Sequence, residues 1–318
     1  MIQTDVLIVG GGPAGSVCAW RLKQHNVNCL ILDQASFPRR KPCAGWITPE
    51  VVQDLELDPA EYPYSFTTYP SFHVYIGGIT LKLPSHQHAI RRYEFDDWLL
   101  HRAGVPFQVH VVKTITPTAG GYELDGEYFC KYLVGAGGTH CPVYQNLFQA
   151  PGARPEETLV VAMEEEFPYD YSDERGWLWF HENHLPGYAW YVPKANGYVN
   201  VGIGGLAEKL KARGDTLKNH WNRLVEKLER MGLVRGHDFK PSGHSYYVRH
   251  HGRAEISRDT AFLVGDSAGL ATLDMGEGIG PAIKSGLLAA EAIFNHTPYS
   301  VASIPSYTNR STAWLTRP

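Results

Sequence analysis

Two glycine turns, one near each end of the chain, constrain the fold more than any other feature of the sequence. The first reads Asp5-Val-Leu-Ile-Val-Gly10-Gly-Gly12-Pro-Ala14-Gly15, and the second reads Ala261-Phe-Leu-Val-Gly265-Asp266-Ser-Ala-Gly269. Each follows a short run of branched apolar residues, the pattern of a buried strand. Behind the first turn a helical pattern runs through Val17, Cys18 and Leu22. In such a strand–turn–helix unit, Gly10 permits the tight turn, Gly12 lets the backbone approach a pyrophosphate, and Gly15 lets the helix pack close to the strand. The helix N-terminus offers free N–H groups and the positive end of its dipole to phosphates. A second apolar strand, Asn28 to Leu32, ends at Asp33, 18 residues after Gly15. An acid at that distance accepts hydrogen bonds from an adenosine ribose. An isolated G-x-G-x-x-G can be an ordinary turn. With strand, helix and acid all in place it predicts a dinucleotide site.

The 318 residues allow a large core and suit two domains, or one with a big insertion. Apolar residues make up 43% and charged residues 19%, as in globular proteins. Net charge is −4 with no basic block, so nucleic acid is not an expected partner. No apolar run reaches the roughly 18 residues a membrane span needs. The first strand starts near residue 5, which leaves no room for a leader peptide, so a cytoplasmic location is expected. The five cysteines, Cys18, Cys29, Cys43, Cys130 and Cys141, are odd in number and lack C-x-x-C spacing, so reduced thiols are expected.

Along the chain, Ser71 to Leu83 reads as a hairpin turning at Gly77-Gly78, and a helix follows Arg92 from Tyr93 to Ala103. Three strand patterns come next: Phe107 to Ile115, Gly121 to Leu124 and Tyr128 to Gly135. From Glu156 to Val248 aromatics become dense, and Asn196-Gly197 marks a further hairpin. Leu217, Trp221, Leu224, Val225 and Leu228 stand at helical spacing between Thr216 and Met231, a stripe expected to pack in a core. The dinucleotide pattern then returns, with a strand to Val264 and a helix from Gly278 to Phe294. The expected class is α/β: a discontinuous Rossmann-like domain over 1–70, 84–150 and 255–318, with an inserted antiparallel sheet domain over 71–83 and 151–254.

Five ordered motifs make the chain similar to the geranylgeranyl reductase family of FAD-dependent oxidoreductases, within the flavoproteins shaped like p-hydroxybenzoate hydroxylase. Lys41-Pro42-Cys43-Ala44-Gly45 resembles that family's loop beside the flavin. Arg92-x-x-Phe95-Asp96-x-Trp98-Leu99 resembles its Arg-x-x-Phe-Asp helix start. Gly187-Tyr188-Ala-Trp190-Tyr-Val-Pro193-Lys194 resembles its Tyr-x-Trp-x-Phe-Pro-Lys strand. Gly265-Asp266, Gly276-Glu277-Gly278-Ile279 and Ser285-Gly286 resemble its C-terminal flavin segment.

The resemblance implies a GR2-type FAD fold and FAD as cofactor, with NAD(P)H or ferredoxin as electron donor. It further implies a small apolar or lipid substrate and peripheral membrane contact. Carried over by position, Ala14 and Asp33 contact the adenosine and pyrophosphate end of FAD. Cys43, Ala44 and Gly45 line the flavin ring, and Arg92 reaches the phosphate or ribityl region. A strand near Val112 touches the adenine, Asp266 binds a ribityl hydroxyl, and Gly278 and Ile279 offer N–H groups to the pyrimidine edge. Reduced flavin carries negative charge at that edge, which a helix N-terminus stabilises. Cys43 reads as packing against the ring or as a redox or proton-donating thiol, with Arg40 and Lys41 placed to lower its pKa. Tyr188 and Trp190 alternate along a strand and so share one face, as cavity lining over the flavin or as core aromatics. Arg92 has a surface ion pair with Glu94 or Asp96 as its alternative, and Asp266 an N-cap.

Where hydroxylases of this fold read Gly-Ala-Asp-Gly, this chain has Gly135-Ala136-Gly137-Gly138, and Trp46 intrudes after the Cys43 loop, where it could narrow the cavity. His181-Glu-Asn-His184 and His250-His251 fit no metal-ligand spacing and read as solvated loops. The expected activity is reduction of carbon–carbon double bonds of an isoprenoid or other apolar substrate by hydride transfer from reduced flavin. The alternatives are a monooxygenase or halogenase of the same fold, or a non-catalytic flavin-binding ligand carrier. Tyr188 breaks the halogenase Gly-Trp-x-Trp-x-Ile-Pro strand.

Overall fold

The computed structural model describes residues 1–150, 154–250 and 255–308; His251 and the expected boundary positions 151, 254 and 318 lie outside them. Two sheets, each of eight strands among the described residues, form the frame. In the first, Ile2–Val9 pairs in parallel with Cys29–Asp33 on one side and Tyr128–Gly135 on the other. Phe107–Val109 and Ala261–Leu263 extend the two sides, also in parallel. Ser257–Arg258 and the Ile115–Thr118/Gly121–Leu124 hairpin add antiparallel pieces.

Parallel strands are joined by crossovers and covered on both faces, which explains the unbroken apolar runs. Val6 and Ile8 pack beneath the helices Pro13–Gln24 and Ile279–Asn295, among Cys18, Leu22, Ala289 and Ile293. Leu7 and Val9 point the other way, onto Ile115, Tyr122 and Leu124. The two helices cross closely at Gly286, where a Cβ would lie 2.3 Å from the Ala14 carbonyl oxygen. Thus the C-terminal helix leans on the first turn of the N-terminal one, and the two glycine turns become neighbours.

The second sheet runs in the order Ser242–Tyr247, Leu159–Pro168, Tyr198–Leu206, Gly187–Lys194, Gly176–Phe180, Phe66–Ile76, Ile79–Ile90, Trp46–Ile47. All neighbours are antiparallel except Gly176–Phe180 against Phe66–Ile76. One face receives the helix Leu217–Met231, whose Trp221, Leu224 and Leu228 pack on Trp179, Tyr191, Val201 and Ile203. The Thr216 hydroxyl accepts the Asn219 N–H at 3.3 Å and opens that helix, and Gly232 at φ 71° closes it. The stripe is core packing, as its spacing predicts.

Two expected elements differ. The hairpin turns at Gly77-Gly78 but runs from Phe66 to Ile90, so residues 84–90 pair in the second sheet and not in the first. Its ends carry His86, Gln87 and His88, and its register shifts between Tyr69 and Ser71, so alternation alone does not reveal its length. The run from Phe107 leaves its sheet after Val109, and Val112 lies on a loop. Asp125 is the cause: its carboxylate accepts the Thr114 N–H at 2.7 Å and meets the His110 ring at 2.8 Å, drawing the segment out of the ladder.

Trp179 is 2% exposed between sheet and helix. Trp179→Ala should lower unfolding free energy by about 3–5 kcal/mol, read from urea denaturation. A loss below ~1 kcal/mol would contradict this packing.

Candidate active site

A cleft of about 990 Å³ opens at the C-terminal ends of the parallel strands. Of the expected cofactor residues, it is lined by Gly10, Gly12, Ala14, Asp33, Cys43, Arg92, Val112, Gly265, Asp266, Gly278 and Ile279. Gly15 stands behind it, where a Cβ would lie 1.9 Å from the Gly10 carbonyl oxygen, the close helix–strand packing expected of that position. Ala44 faces a second cavity. Gly45 lines neither: its φ is 75°, and a Cβ there would lie 2.1 Å from the Ile90 carbonyl oxygen. It lets the Cys43 loop press against the sheet behind it.

The cleft suits a dinucleotide. No side chain caps the Pro13–Gln24 helix, so the N–H groups of Ala14 and Gly15 lack intrahelical partners. Asp33 is pinned by the N–H groups of Gly11 at 2.7 Å and Ala35 at 2.9 Å, with lone pairs left over for a hydroxyl. Arg39, also on the cleft wall, has a buried Nε without a partner. Unpaired donors for phosphate and an acid for ribose thus stand on one wall.

Arg92 is buried, and its guanidinium grips Asp96 with two bonds of 2.6 and 2.7 Å. It is therefore not a surface pair, and it keeps its place on the cleft wall. Burial pushes the Cys43 thiol up, and Arg92, rather than Arg40 or Lys41, is the main cation opposing that rise. The thiol is held protonated and does not serve as a ready nucleophile.

At the far wall, the sequence assigns the N–H groups of Gly278 and Ile279 to the flavin. In the structure the Glu277 carboxyl lies beside them and takes the next N–H, that of Gly280, at 2.5 Å. Burial pushes Glu277 up to about 7, with Asp274 and Asp266 adding to the rise. Below about pH 7 this carboxyl at the helix end keeps its proton and does not repel an anionic ligand beside it.

The second cavity, about 910 Å³, has Trp46, Phe180, Tyr188, Trp190 and Leu206 on its walls. It shares Cys43, His244, Tyr246, Gly276, Gly278 and Ile279 with the cleft, so the two spaces meet there. Tyr188 and Trp190 lie on one face with ring centroids 5.6 Å apart. The Tyr188 hydroxyl donates to the Met275 carbonyl at 2.6 Å, and burial holds this phenol well above its ordinary pKa. The Trp190 indole donates to Asn200 Oδ1 at 2.7 Å. Their polar ends are occupied, and their apolar faces remain for a ligand. Trp46 does line this cavity, edge-on to Tyr69 and Phe72, with its indole N–H unpaired.

The register across this sheet exposes residues the motifs pass over. Trp190, Gly202 and Glu164 form one cross-strand row. A Cβ on Gly202 would lie 2.1 Å from the Trp190 indole and 2.8 Å from Glu164 Cβ, so glycine lets both side chains converge. Glu164, 4% exposed, accepts the Cys43 N–H through Oε1, and Asn200 Nδ2 lies 3.5 Å from the same oxygen. Burial pushes Glu164 up to about 7, with Lys194 pulling the other way. Lys194, fully buried, instead bonds Glu166 at 2.7 Å and the Ile90 carbonyl at 2.9 Å, and Glu166 is held below its ordinary range by that ammonium and by Arg91. His244, at the meeting point, is pushed down to about 4 by burial and the nearby cations, so its imidazole is neutral. His181 and His184 are exposed on loops, as expected.

Glu164 and Glu277 each rise from 4.5 to about 7 on folding. Between those values the folded chain keeps protons that the unfolded chain has released, so stability falls as pH rises through this window. The ligand-free protein should lose on the order of a few kcal/mol from pH 4.5 to pH 7, and the Glu164→Gln/Glu277→Gln double variant should lose much less. Urea midpoints across pH check this; equal slopes in both proteins would contradict it.

Comparison with known proteins agrees with this geometry. A family model described as an NAD(P)-binding Rossmann-like domain matches residues 8–75. An uncharacterised protein of Methanosarcina barkeri is 33% identical over 313 residues, covering 92% of this chain and 75% of its own length. A menaquinone reductase of Mycobacterium tuberculosis is 27% identical over 331 residues, covering 92% and 76%. A digeranylgeranylglycerophospholipid reductase of Methanopyrus kandleri is 27% identical over 240 residues, covering 71% and 60%. Among solved structures, a geranylgeranyl bacteriochlorophyll reductase-like protein of Thermoplasma acidophilum superposes with a TM-score of 0.79 at 22% identity, covering 94% of this chain and 81% of its own. The glycine turns, the Cys43 loop, the aromatic strand and these relatives converge: the chain belongs to the geranylgeranyl reductase family of flavoprotein oxidoreductases.

Proposed function

We propose that this protein is an FAD-dependent reductase of carbon–carbon double bonds in an apolar, isoprenoid-like lipid. The observation that carries the reading is the meeting of a dinucleotide cleft with an aromatic-walled cavity at Cys43, His244, Tyr246, Gly278 and Ile279. A flavin ring reaching that junction from the cleft would present its face to whatever fills the cavity. The relatives named for reduction of menaquinone and of digeranylgeranylglycerophospholipid support a lipid occupant.

When bound, reduced FAD supplies hydride, and the protein supplies orientation and exclusion of water. Ala14, Gly15 and Arg39 would hold the phosphates, Asp33 the adenosine ribose and Asp266 the ribityl chain. Val112 would meet the adenine from its loop. Ala44, Tyr188 and Trp190 would hold the substrate chain against the ring, with Cys43 packed at its edge. The cavity also reaches Lys209 and the exposed Arg213, so a lipid could enter from a membrane surface by peripheral contact. NAD(P)H or a ferredoxin would reload the flavin.

The test is anaerobic stopped-flow at the flavin absorbance. The flavin-loaded protein is reduced with dithionite and mixed with a geranylgeranyl lipid in detergent. Reoxidation without oxygen is the expected result. Reoxidation only on admission of oxygen would move the assignment to oxygen chemistry.

A further inference from the structure

The geometry points to Glu164 as the acid that protonates the substrate double bond. This inference rests on the reductase reading above.

Hydride addition to one alkene carbon must be matched by a proton at the other, and few groups around the cavity can give one. Tyr188 spends its proton on the Met275 carbonyl, burial pushes the Cys43 thiol up so that it holds its proton, and the Glu277 carboxyl accepts the Gly280 N–H at the helix end. Trp190 donates to Asn200 and has no acidic proton to lose at ordinary pH. Glu164 lines the cavity, is buried, and has one carboxyl oxygen engaged and the other free of any partner. Oε1 accepts from Cys43 N–H, so the oxygen without a partner, Oε2, is where a proton can reside. An unpaired buried carboxyl oxygen costs stability unless a ligand or proton satisfies it.

The placement is fixed by donors with no alternative role. The Trp190 indole can only donate, so Asn200 must turn its oxygen to Trp190 and its NH2 to Glu164 and the Cys43 carbonyl. Trp190 and Asn200 are thus positioning residues. Gly202 keeps the row open between them. The charged and titratable groups around Glu164 are Lys194 and Glu166 from the sheet, Tyr246 from the edge strand, and Cys43 with Arg92 behind it. The balance leaves the carboxyl titrating near neutrality, where a general acid works best.

In the step, the carboxyl O–H bond breaks and its proton forms a C–H bond at one alkene carbon. The hydride supplied by reduced flavin forms the C–H bond at the other, and the carboxylate recovers a proton from solvent.

The test uses the full flavin-loaded chain and two readouts. Infrared difference spectra of the wild type across pH should show a protonated-carboxyl band lost with a midpoint near 7. Because Glu277 titrates in the same range, the band should be reduced in Glu164→Gln and in Glu277→Gln and vanish only in the double variant; a band unchanged in Glu164→Gln would overturn the assignment. In anaerobic mixing with a geranylgeranyl lipid, wild-type reoxidation should slow as pH rises through 7, and Glu164→Gln should be slower by about 100-fold or more with its flavin retained. An active wild type beside an equally active Glu164→Gln with the same pH profile overturns the role of Glu164 alone. So does a wild type lacking the neutral-range carboxyl band, a result independent of any variant's folding. A wild type that no alkene reoxidises removes the reductase reading, and this inference with it.

Discussion

The bond from the Cys43 N–H to the Glu164 carboxyl joins the two halves of this molecule at the point where its chemistry would occur. Cys43 belongs to a loop lining the dinucleotide cleft, and Glu164 to the middle of the second sheet. Asn200 adds a bond to the Cys43 carbonyl at 3.4 Å, so both backbone polar groups of Cys43 are held by the opposing sheet. Behind the loop, Lys194 and Glu166 lock that sheet to the Ile90 carbonyl, against which Gly45 is pressed. The cleft and the aromatic cavity share a wall at this clamp.

Charge placement around the junction follows one logic. Near it Arg92 is paired with Asp96 and Lys194 with Glu166, while burial raises Glu164 and Glu277 to about 7 and lowers His244 to about 4. Burying a lone charge is costly, so burial shifts these acids toward their protonated form and leaves the buried cations matched. The same shift is what the proposed proton donor Glu164 needs, and it would lessen the repulsion between Glu277 and a reduced flavin.

Local motifs in the sequence disclose the dinucleotide half well. Gly10, Gly12, Gly15 and Asp33 act through a turn, a helix end and a strand end, all short-range features, and each stands where its spacing requires. The Asn196-Gly197 turn and the Leu217–Met231 helix are equally local. The residues of the second cavity are harder to read because their meaning lies in register. Glu164-Glu165-Glu166 looks like a solvated acidic run, yet period-two alternation sends its first and third members inward and Glu165 outward to His237. Gly202 looks like a weak point in a strand until Trp190 and Glu164 are seen on either side of it. Val112 and Gly45 are hard to place for a related reason: Asp125 draws Val112 onto a loop at the cleft, and the Ile90 carbonyl on another strand crowds Gly45.

The account's central claim is that the flavin ring lies at the junction of the two cavities. A crystal structure of the protein with FAD bound tests it most directly. The account predicts the isoalloxazine against Cys43, His244 and Tyr246, one face open to Ala44, Tyr188 and Trp190, and the diphosphate at the Pro13–Gln24 helix. A ring turned away from the aromatic cavity, or a diphosphate bound elsewhere, would contradict it.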